Sequence, residues 1–151
     1  MAEQAPTRVL IVAHETATAP ELLDAVRKRA SQGDARFTLV VPSAAPGLHK
    51  VVDPQDHGDD AAQEVMRLAL PELEKAAGHP VEGMVGDPSP LDAAQDAVNL
   101  HGFDEIIVST LPHTVSRWLH LDLPHKLEGL GLPVTTVTTE HQIDTIEPLS
   151  I

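Results

Sequence analysis

Short apolar runs alternate along the chain with longer segments in which apolar residues recur at the spacing of a helix. The first run, Val9–Ala13, is continuously apolar and holds three β-branched residues, a pattern typical of a strand buried on both faces. With four later runs it forms the set of predicted strands: Val9–Ala13, Phe37–Val41, Val81–Val85, Ile106–Val108 and Val134–Thr138.

Capping signals mark where the intervening helices begin and end. Thr18, with Glu21 three residues on, predicts a capping-box start, and Gly33 predicts the end of that helix. A second helix is predicted over about residues 61–77, with a kink or a split at Pro71.

The later helices carry similar signals. Ser89, with an acidic Asp92 in the first turn, predicts the start of a third helix that Gly102 ends. Two short helical pieces are predicted after the fourth strand, over residues 114–121 and 122–130, the second capped by the Asp at its start.

The order βαβαβαβαβ predicts the α/β class. We expect a single doubly wound domain over residues 1–151, with a five-stranded, mainly parallel sheet and helices on both faces. The core is expected over about residues 8–138, with a polar tail over 139–151. Residues 43–60 lack any periodicity and are predicted to form a loop.

Composition narrows the classes of function. The formal net charge of −13 makes nucleic acid and anionic membranes poor partners. There is no cysteine, which excludes disulfides, thiolate catalysis and Cys-ligated metals. The N-terminus does not resemble a signal peptide and no stretch approaches the ~20 apolar residues that cross a bilayer, so a cytoplasmic location is predicted.

The carboxyl ends of the predicted strands are the expected ligand site. In open parallel sheets, ligands bind beyond these ends, where the strand order reverses. The candidate binding residues taken from these ends are Ala13, His14, Val41, Gly86, Ser109 and Thr110.

Two segments carry a resemblance to a known family. The middle of the chain reads VEGMVGDPSPLDAAQDAV, with a Gly-Asp-Pro turn before a helix that begins Ser-Pro-Leu, and the last strand opens with LPVTTV. With the strand–helix series, they resemble the universal stress protein family over about residues 8–138. The resemblance implies an adenine nucleotide alpha hydrolase-like fold, a stress-related role and a homodimer formed through the last strand.

The nucleotide loop of that family is altered here. Nucleotide-binding members carry Gly-x2-Gly-x9-Gly-Ser/Thr after the fourth strand, where glycines let backbone amides approach the phosphates. Ser109 and Pro112 stand at the first two glycine positions, Asp122 and Leu123 stand at the last pair, and His14 replaces the Asp that usually ends the first strand. Pro112 lacks an N–H and Asp122 adds negative charge, so ATP binding through the usual loop is not expected.

Other side chains near this loop keep a small anion or an altered nucleotide open as the ligand. Arg117 and His113 are four residues apart and share a face if the segment is helical, and Ser109, Thr110 and His14 are candidates for the same pocket mouth. The alternative is a solvated helix face. The candidate binding residues of this region are Pro112, His113, Arg117, Asp122 and Leu123.

Neither a metal site nor a catalytic residue is predicted. His113, His120, Asp122 and His125 lie within thirteen residues, but no pair has the i, i+4 spacing of a helical zinc site. No Gly-x-Ser-x-Gly elbow is present to support nucleophilic catalysis.

The sequence therefore predicts a universal stress protein-like domain with a binding or regulatory role and no resident cofactor. Its expected partners are a second copy, a small anionic ligand or another protein. The alternative is an ATP- or AMP-binding member with a divergent loop and slow hydrolysis. A second alternative is a small hydrolase or transferase that uses His14, Ser109 and His113.

Overall fold

The computed structural model describes residues 6–43, 57–112 and 116–139, with residues 57–60 as backbone alone. The strands are β1 (Thr7–Val12), β2 (Ala35–Pro42), β3 (Glu82–Gly86), β4 (Glu105–Thr110) and β5 (Val134–Thr138). The helices are α1 (Pro20–Ala30), α2 (His57–Ala77), α3 (Pro90–His101), α4 (Arg117–His120) and α5 (Leu123–Glu128).

The central strand of the sheet is β1. The strand order is β3-β2-β1-β4-β5, and every pairing is parallel. The predicted α/β class and five-stranded sheet are confirmed, and the described sheet is wholly rather than mainly parallel. The chain moves outward from β1 to β3 and then crosses back to β4, so the strand order reverses between β1 and β4.

Alternate residues of the central strand face two separate cores. Val9 and Ile11 belong to the core shared with α1 and α2, whereas Leu10 and Val12 belong to the core shared with α3 and α5. All four side chains are fully buried. Helices therefore cover both faces of the sheet, and this accounts for the continuous apolar run in the sequence.

Two glycines let the edge strand β3 lie between helices from both faces. A Cβ atom at Gly86 would lie 2.7 Å from Cβ of Ala93 in α3 and 3.0 Å from Cγ2 of Val40. A Cβ atom at Gly83 would meet Sδ of Met66 in α2. The weak apolar pattern of this strand follows from close helix packing on each side.

A bidentate ion pair joins the end of α1 to the start of β4. Arg29 Nε and Nη2 donate to Glu105 Oε1 and Oε2 at 3.0 and 2.9 Å. The two side chains are only 19% and 28% exposed. The hydrogen bond to Glu105 raises the pKa of Arg29 above its ordinary value, although burial opposes the shift.

The predicted ends of α1 are wrong. The helix begins after Ala19, whose side chain has no acceptor to cap it, and Pro20 occupies the first helical position. The helix ends at Ala30 with Ser31, not Gly33, as its C-cap.

Of the two alternatives predicted at Pro71, a kink or a split, the split is wrong, because α2 is continuous through this residue. The helix starts four residues before the expected Ala61 and runs through Pro71 to Ala77. Ala69 and Leu73 are fully buried against the sheet, and this burial outweighs the roughly 3 kcal/mol that a proline costs inside a helix.

No helix in the described parts of the chain has the length and apolarity to cross a bilayer.

The segment after β4 differs from its predicted form. β4 includes Ser109 and Thr110, because both residues pair with β5. α4 begins only at Arg117 and is capped by Ser116, and the predicted start at residue 114 lies outside the described residues. Asp122 precedes α5 as expected but adopts a left-handed backbone with φ 60° and makes no capping bond.

Other local predictions are confirmed. Ser89 Oγ accepts a hydrogen bond from Asp92 N at 3.2 Å and caps α3. Gly102, with φ 76°, closes the same helix, and β5 has the predicted bounds.

Candidate functional site

A cleft with a volume of about 700 Å³ runs along the carboxyl ends of β1, β2, β3 and β4. It includes the point where the strand order reverses, which is the expected ligand position in an open parallel sheet. Its lining residues are His14, Glu15, Thr16, Pro42, Ser43, Pro88, Ser89, Pro90, Ser109, Thr110, Leu111, Ser116, Arg117, Trp118 and Leu121.

A buried pair of hydroxyl groups forms the floor of the cleft between β1 and β4. Thr16 Oγ1 and Ser109 Oγ lie 2.6 Å apart, and the two residues are 2% and 1% exposed. Thr16 is placed there by tight turns after β1, in which Ala17 N bonds to His14 O and Ala19 N bonds to Thr16 O. The pair joins the first loop to the fourth strand.

The other hydroxyl groups of the cleft fall into two classes. Ser43 Oγ donates to Gly86 O at 3.0 Å, and Thr110 Oγ1 donates to Leu111 O at 3.0 Å. In contrast, the capping oxygens of Ser89 and Ser116 accept bonds from backbone amides. These two hydroxyl groups therefore keep their own protons available for donation.

Arg117 supplies the positive charge of the cleft. Its side chain is exposed and makes no ion pair with the described residues. Glu15 also lines the cleft and carries the opposite charge. With His14 neutral, the formal charge of the lining residues is therefore zero.

Apolar side chains form much of the remaining wall. Pro42 is the last residue of β2 and Pro88 and Pro90 follow β3, whereas Trp118 and Leu121 follow β4. The prolines therefore lie toward the β3 side of the sheet and the tryptophan toward the β4 side.

The structure brings four predicted residues together on the cleft: His14, Ser109, Thr110 and Arg117. His113 lies outside the described residues. The other predicted site residues do not line the cleft; they are Ala13, Val41, Gly86, Pro112, Asp122 and Leu123.

Most of these remaining residues have a packing or backbone role. Ala13, Val41 and Leu123 are buried in the two cores, and Gly86 permits close packing of α3. Asp122 lies at the surface, where its Oδ2 is 3.4 Å from Nδ1 of His125. No group of three or more His, Cys, Asp or Glu side chains within the described ranges is arranged to hold a metal ion.

Thr16 and Ser116 are buried residues of the cleft lining that the sequence does not predict as site residues. Both are polar residues in loops, and loop residues of this type are common. The usable signal is position: Thr16 lies a few residues beyond the end of β1, and Ser116 immediately precedes Arg117. Their burial could only be known from the folded chain, because it depends on the pairing of β1 with β4.

Comparisons with known proteins give a consistent result at the level of structure. No protein-family model matches the sequence, and no curated protein does either. The structure of a universal stress protein from Archaeoglobus fulgidus superposes with a TM-score of 0.62 at 14% identity, covering 87% of this chain and 93% of that one. The chain has the universal stress protein fold.

Two further universal stress protein structures agree and contain nucleotides. A family protein from Arabidopsis thaliana with AMP bound has a TM-score of 0.60 at 14% identity, covering 95% of this chain and 98% of that one. A universal stress protein in complex with cAMP has a TM-score of 0.58 at 13% identity, covering 90% and 100%.

Proposed function

We propose that this chain is a universal stress protein-like binding or regulatory module that takes a small ligand in the cleft, without using the ATP-binding loop typical of the family. The observation that carries the proposal is the cleft of about 700 Å³ at the reversal of strand order, within the range of small-molecule sites. Its lining combines hydroxyl groups, one arginine and apolar walls, a composition suited to binding a small molecule.

The segment after β4 supports the part of this proposal that excludes the ATP-binding loop typical of the family. A phosphate loop needs backbone amides that point at the ligand. Here Ser116 N donates to Pro112 O, Leu119 N to Ser116 Oγ, and His120 N to Ser116 O. These amides are therefore occupied within the segment, and Pro112 has no amide to offer.

The hydrogen bonding of Ser109 counts against the hydrolase or transferase alternative. Its hydroxyl lies 2.6 Å from that of Thr16, and no histidine or carboxylate of the described residues bonds to it, so it lacks the base that activates a serine nucleophile. We therefore assign Ser109 to the floor of the binding site.

A native mass spectrum and an ATP thermal-shift series on one purified sample test the proposal. We expect ATP to give no shift, whereas a ligand at 100 times its dissociation constant stabilises a fold by about 2.7 kcal/mol. Arg117→Gln should weaken the binding of any ligand that is found. Arg27→Gln is the matched control, because Arg27 pairs with Asp24 outside the cleft. A clear ATP shift that only Arg117→Gln abolishes would reject the proposal.

A second candidate is a nucleotide-binding module with a divergent loop. It is favoured by the AMP and the cAMP in two proteins of the same fold, and by an arginine on the cleft that pairs with no carboxylate of the described residues. Equilibrium dialysis with adenosine, cAMP, AMP and ATP separates the candidates. Tighter binding with each added phosphate favours the nucleotide module, whereas binding that weakens with charge favours the first proposal.

We further propose a homodimer that forms through β5. This strand is at the edge of the sheet and pairs with β4 alone among the described strands. Pro133 O accepts from β4 and Thr139 N donates to β4. The backbone groups of successive residues in a strand point to opposite sides, so the N–H groups of residues 134, 136 and 138 point away from β4, toward the edge of the sheet. An open edge of this kind is a template for pairing with a second copy.

Thr136 provides a test of the dimer that leaves the internal ladder intact. Thr136→Pro removes one outward N–H and should convert the dimer to a monomer, because the bonds from β5 to β4 use the alternate residues. Thr136→Ala keeps the N–H and should remain dimeric. Sedimentation velocity measures both variants, and a monomeric parent protein or a dimeric proline variant would contradict the interface.

A further inference from the structure

Arg117 differs from the other arginines of the chain. The sequence contains six arginines, and all six lie in the described residues. Arg27, Arg29, Arg36 and Arg67 each pair with a carboxylate. Arg8 donates to His101 O and lies over the ring of Phe103. Within the described ranges, only the guanidinium of Arg117 lacks such a partner, and it lines the cleft.

The buried hydroxyl groups of the cleft offer more donors than their protein partners use. In the Thr16–Ser109 pair one hydroxyl donates to the other, so one of the two protons has no acceptor among the described residues. Ser116 accepts from Leu119 N and also retains its proton. All three residues are at most 2% exposed, and a buried donor without an acceptor is costly. The floor of the cleft therefore favours a ligand with strong acceptor atoms.

The charge balance limits how negative that ligand is. Arg117 is offset by Glu15 in the lining, and the whole chain carries a formal charge of −13. The acidic chain repels each further negative charge on a ligand, and the lining holds no second arginine or lysine to offset that charge. A monoanion gains the charge-assisted bond to Arg117 and adds little repulsion.

The apolar walls indicate the rest of the ligand. Pro42, Pro88 and Pro90 lie toward the β3 side of the cleft, whereas Arg117 and the hydroxyl pair lie toward β4. Trp118 and Leu121 also lie toward β4, so apolar surface flanks these donors on both the β3 side and the β4 side of the cleft. Resting on the function proposed above, we propose that the ligand is a small amphipathic monocarboxylate, with its carboxylate at Arg117, Ser116 and the Thr16–Ser109 pair and its apolar body along the prolines.

Three probes that share one apolar body test this assignment. Phenylbutyrate is the monocarboxylate, phenylbutanol is the neutral analogue and phenylbutyl phosphate carries the larger charge. Dissociation constants come from NMR chemical-shift titrations of the full chain. We expect phenylbutyrate to bind more tightly than both analogues, with shifts concentrated on the cleft residues.

Variants locate the carboxylate. Arg117→Gln should weaken phenylbutyrate binding by about tenfold or more, and Thr16→Val by about threefold to tenfold, because each removes a donor to the carboxylate. Arg117→Gln should leave phenylbutanol binding nearly unchanged, because the alcohol carries no charge for the guanidinium to pair with. Arg27→Gln is the control for net charge, and Ser109→Ala replaces Thr16→Val if the latter unfolds.

The possible results separate this inference from the proposed function. Tighter binding of the phosphate or of the alcohol would overturn the monocarboxylate assignment and leave a ligand-binding cleft. A molecule that copurifies in the native mass spectrum but is displaced by none of the probes would do the same. If no probe binds and nothing copurifies, both the assignment and the binding function fail.

Discussion

At the scale of single residues, two glycines in β3 have different neighbours. The position of a Cβ on Gly86 would be 2.7 Å from Cβ of Ala93, an atom fixed to the backbone of α3. The corresponding position on Gly83 meets the end of the Met66 side chain, which has several rotatable bonds. Absence of a side chain is therefore required at Gly86 and is only preferred at Gly83.

This difference predicts unequal costs of adding a methyl group. Gly86→Ala should lower the free energy of unfolding by about 1–2 kcal/mol, because α3 must move away from the sheet. Gly83→Ala should lower it by less than about 1 kcal/mol, since Met66 can adopt another rotamer. Urea unfolding at neutral pH measures both, and equal losses would show that the two contacts are equally rigid.

A second prediction at this scale concerns Glu64 on the exposed face of α2. Hydrogen bonds from Arg67 hold the pKa of the Glu64 carboxyl below its ordinary value of 4.5. A carboxyl whose pKa is lowered in the folded state stabilises the fold at pH values above its ordinary pKa. This contribution is lost as the pH falls through the pKa of the folded state. Carbon-detected NMR titration should give a midpoint below 4.5 that returns toward 4.5 in Arg67→Gln.

At the scale of elements, the pair of Arg29 and Glu105 fixes α1 relative to β4. The two side chains are mostly buried and meet with two parallel bonds, unlike the exposed pair of Arg27 and Asp24 on the same helix. Bidentate pairs that are shielded from water are stronger than single exposed ones.

Lysine substitutions compare these two pairs directly. Arg29→Lys should reduce the free energy of unfolding by about 1–2 kcal/mol, because lysine cannot make both bonds to Glu105. Arg27→Lys should change it by less than about 0.5 kcal/mol. The comparison uses urea unfolding of both variants, and a loss at Arg27 that matches the loss at Arg29 would contradict the role of the shielded pair.

The sequence predicts the elements better than it predicts the site. Apolar runs identify all five strands, and capping by Ser89 is local and therefore visible in the sequence. The extension of β4 through Ser109 depends on pairing with β5, which a polar residue does not reveal. A cleft lies at the carboxyl edge where the sequence predicts a ligand site, whereas the contact of Thr16 with Ser109 joins residues 93 positions apart and has no local signal.

At the scale of the whole molecule, the excess of acidic over basic residues is the dominant electrostatic feature. The formal net charge is −13 and the isoelectric point is about 4.9, so surface carboxylates repel one another at neutral pH. This repulsion opposes the compact state and is screened by salt.

Salt should therefore stabilise the fold. The urea midpoint at neutral pH should rise between about 10 mM and about 150 mM NaCl, as the screening length falls from ~30 Å to ~8 Å. Near the isoelectric point, where the net charge is close to zero, the same salt change should have a smaller effect. A midpoint that falls with salt at neutral pH would mean that attractive pairs outweigh the repulsion.

The central position of β1 has a consequence for how the protein is made. β1 gains its first neighbour, β2, within about thirty residues of chain, but its second neighbour, β4, begins only at Glu105. Such distant pairings are slow to form, because the entropy of closing a long segment is lost before the strand contacts stabilise the pairing. During synthesis on the ribosome, one edge of β1 therefore has no partner until β4 has emerged. The cleft forms only when most of the chain has been made.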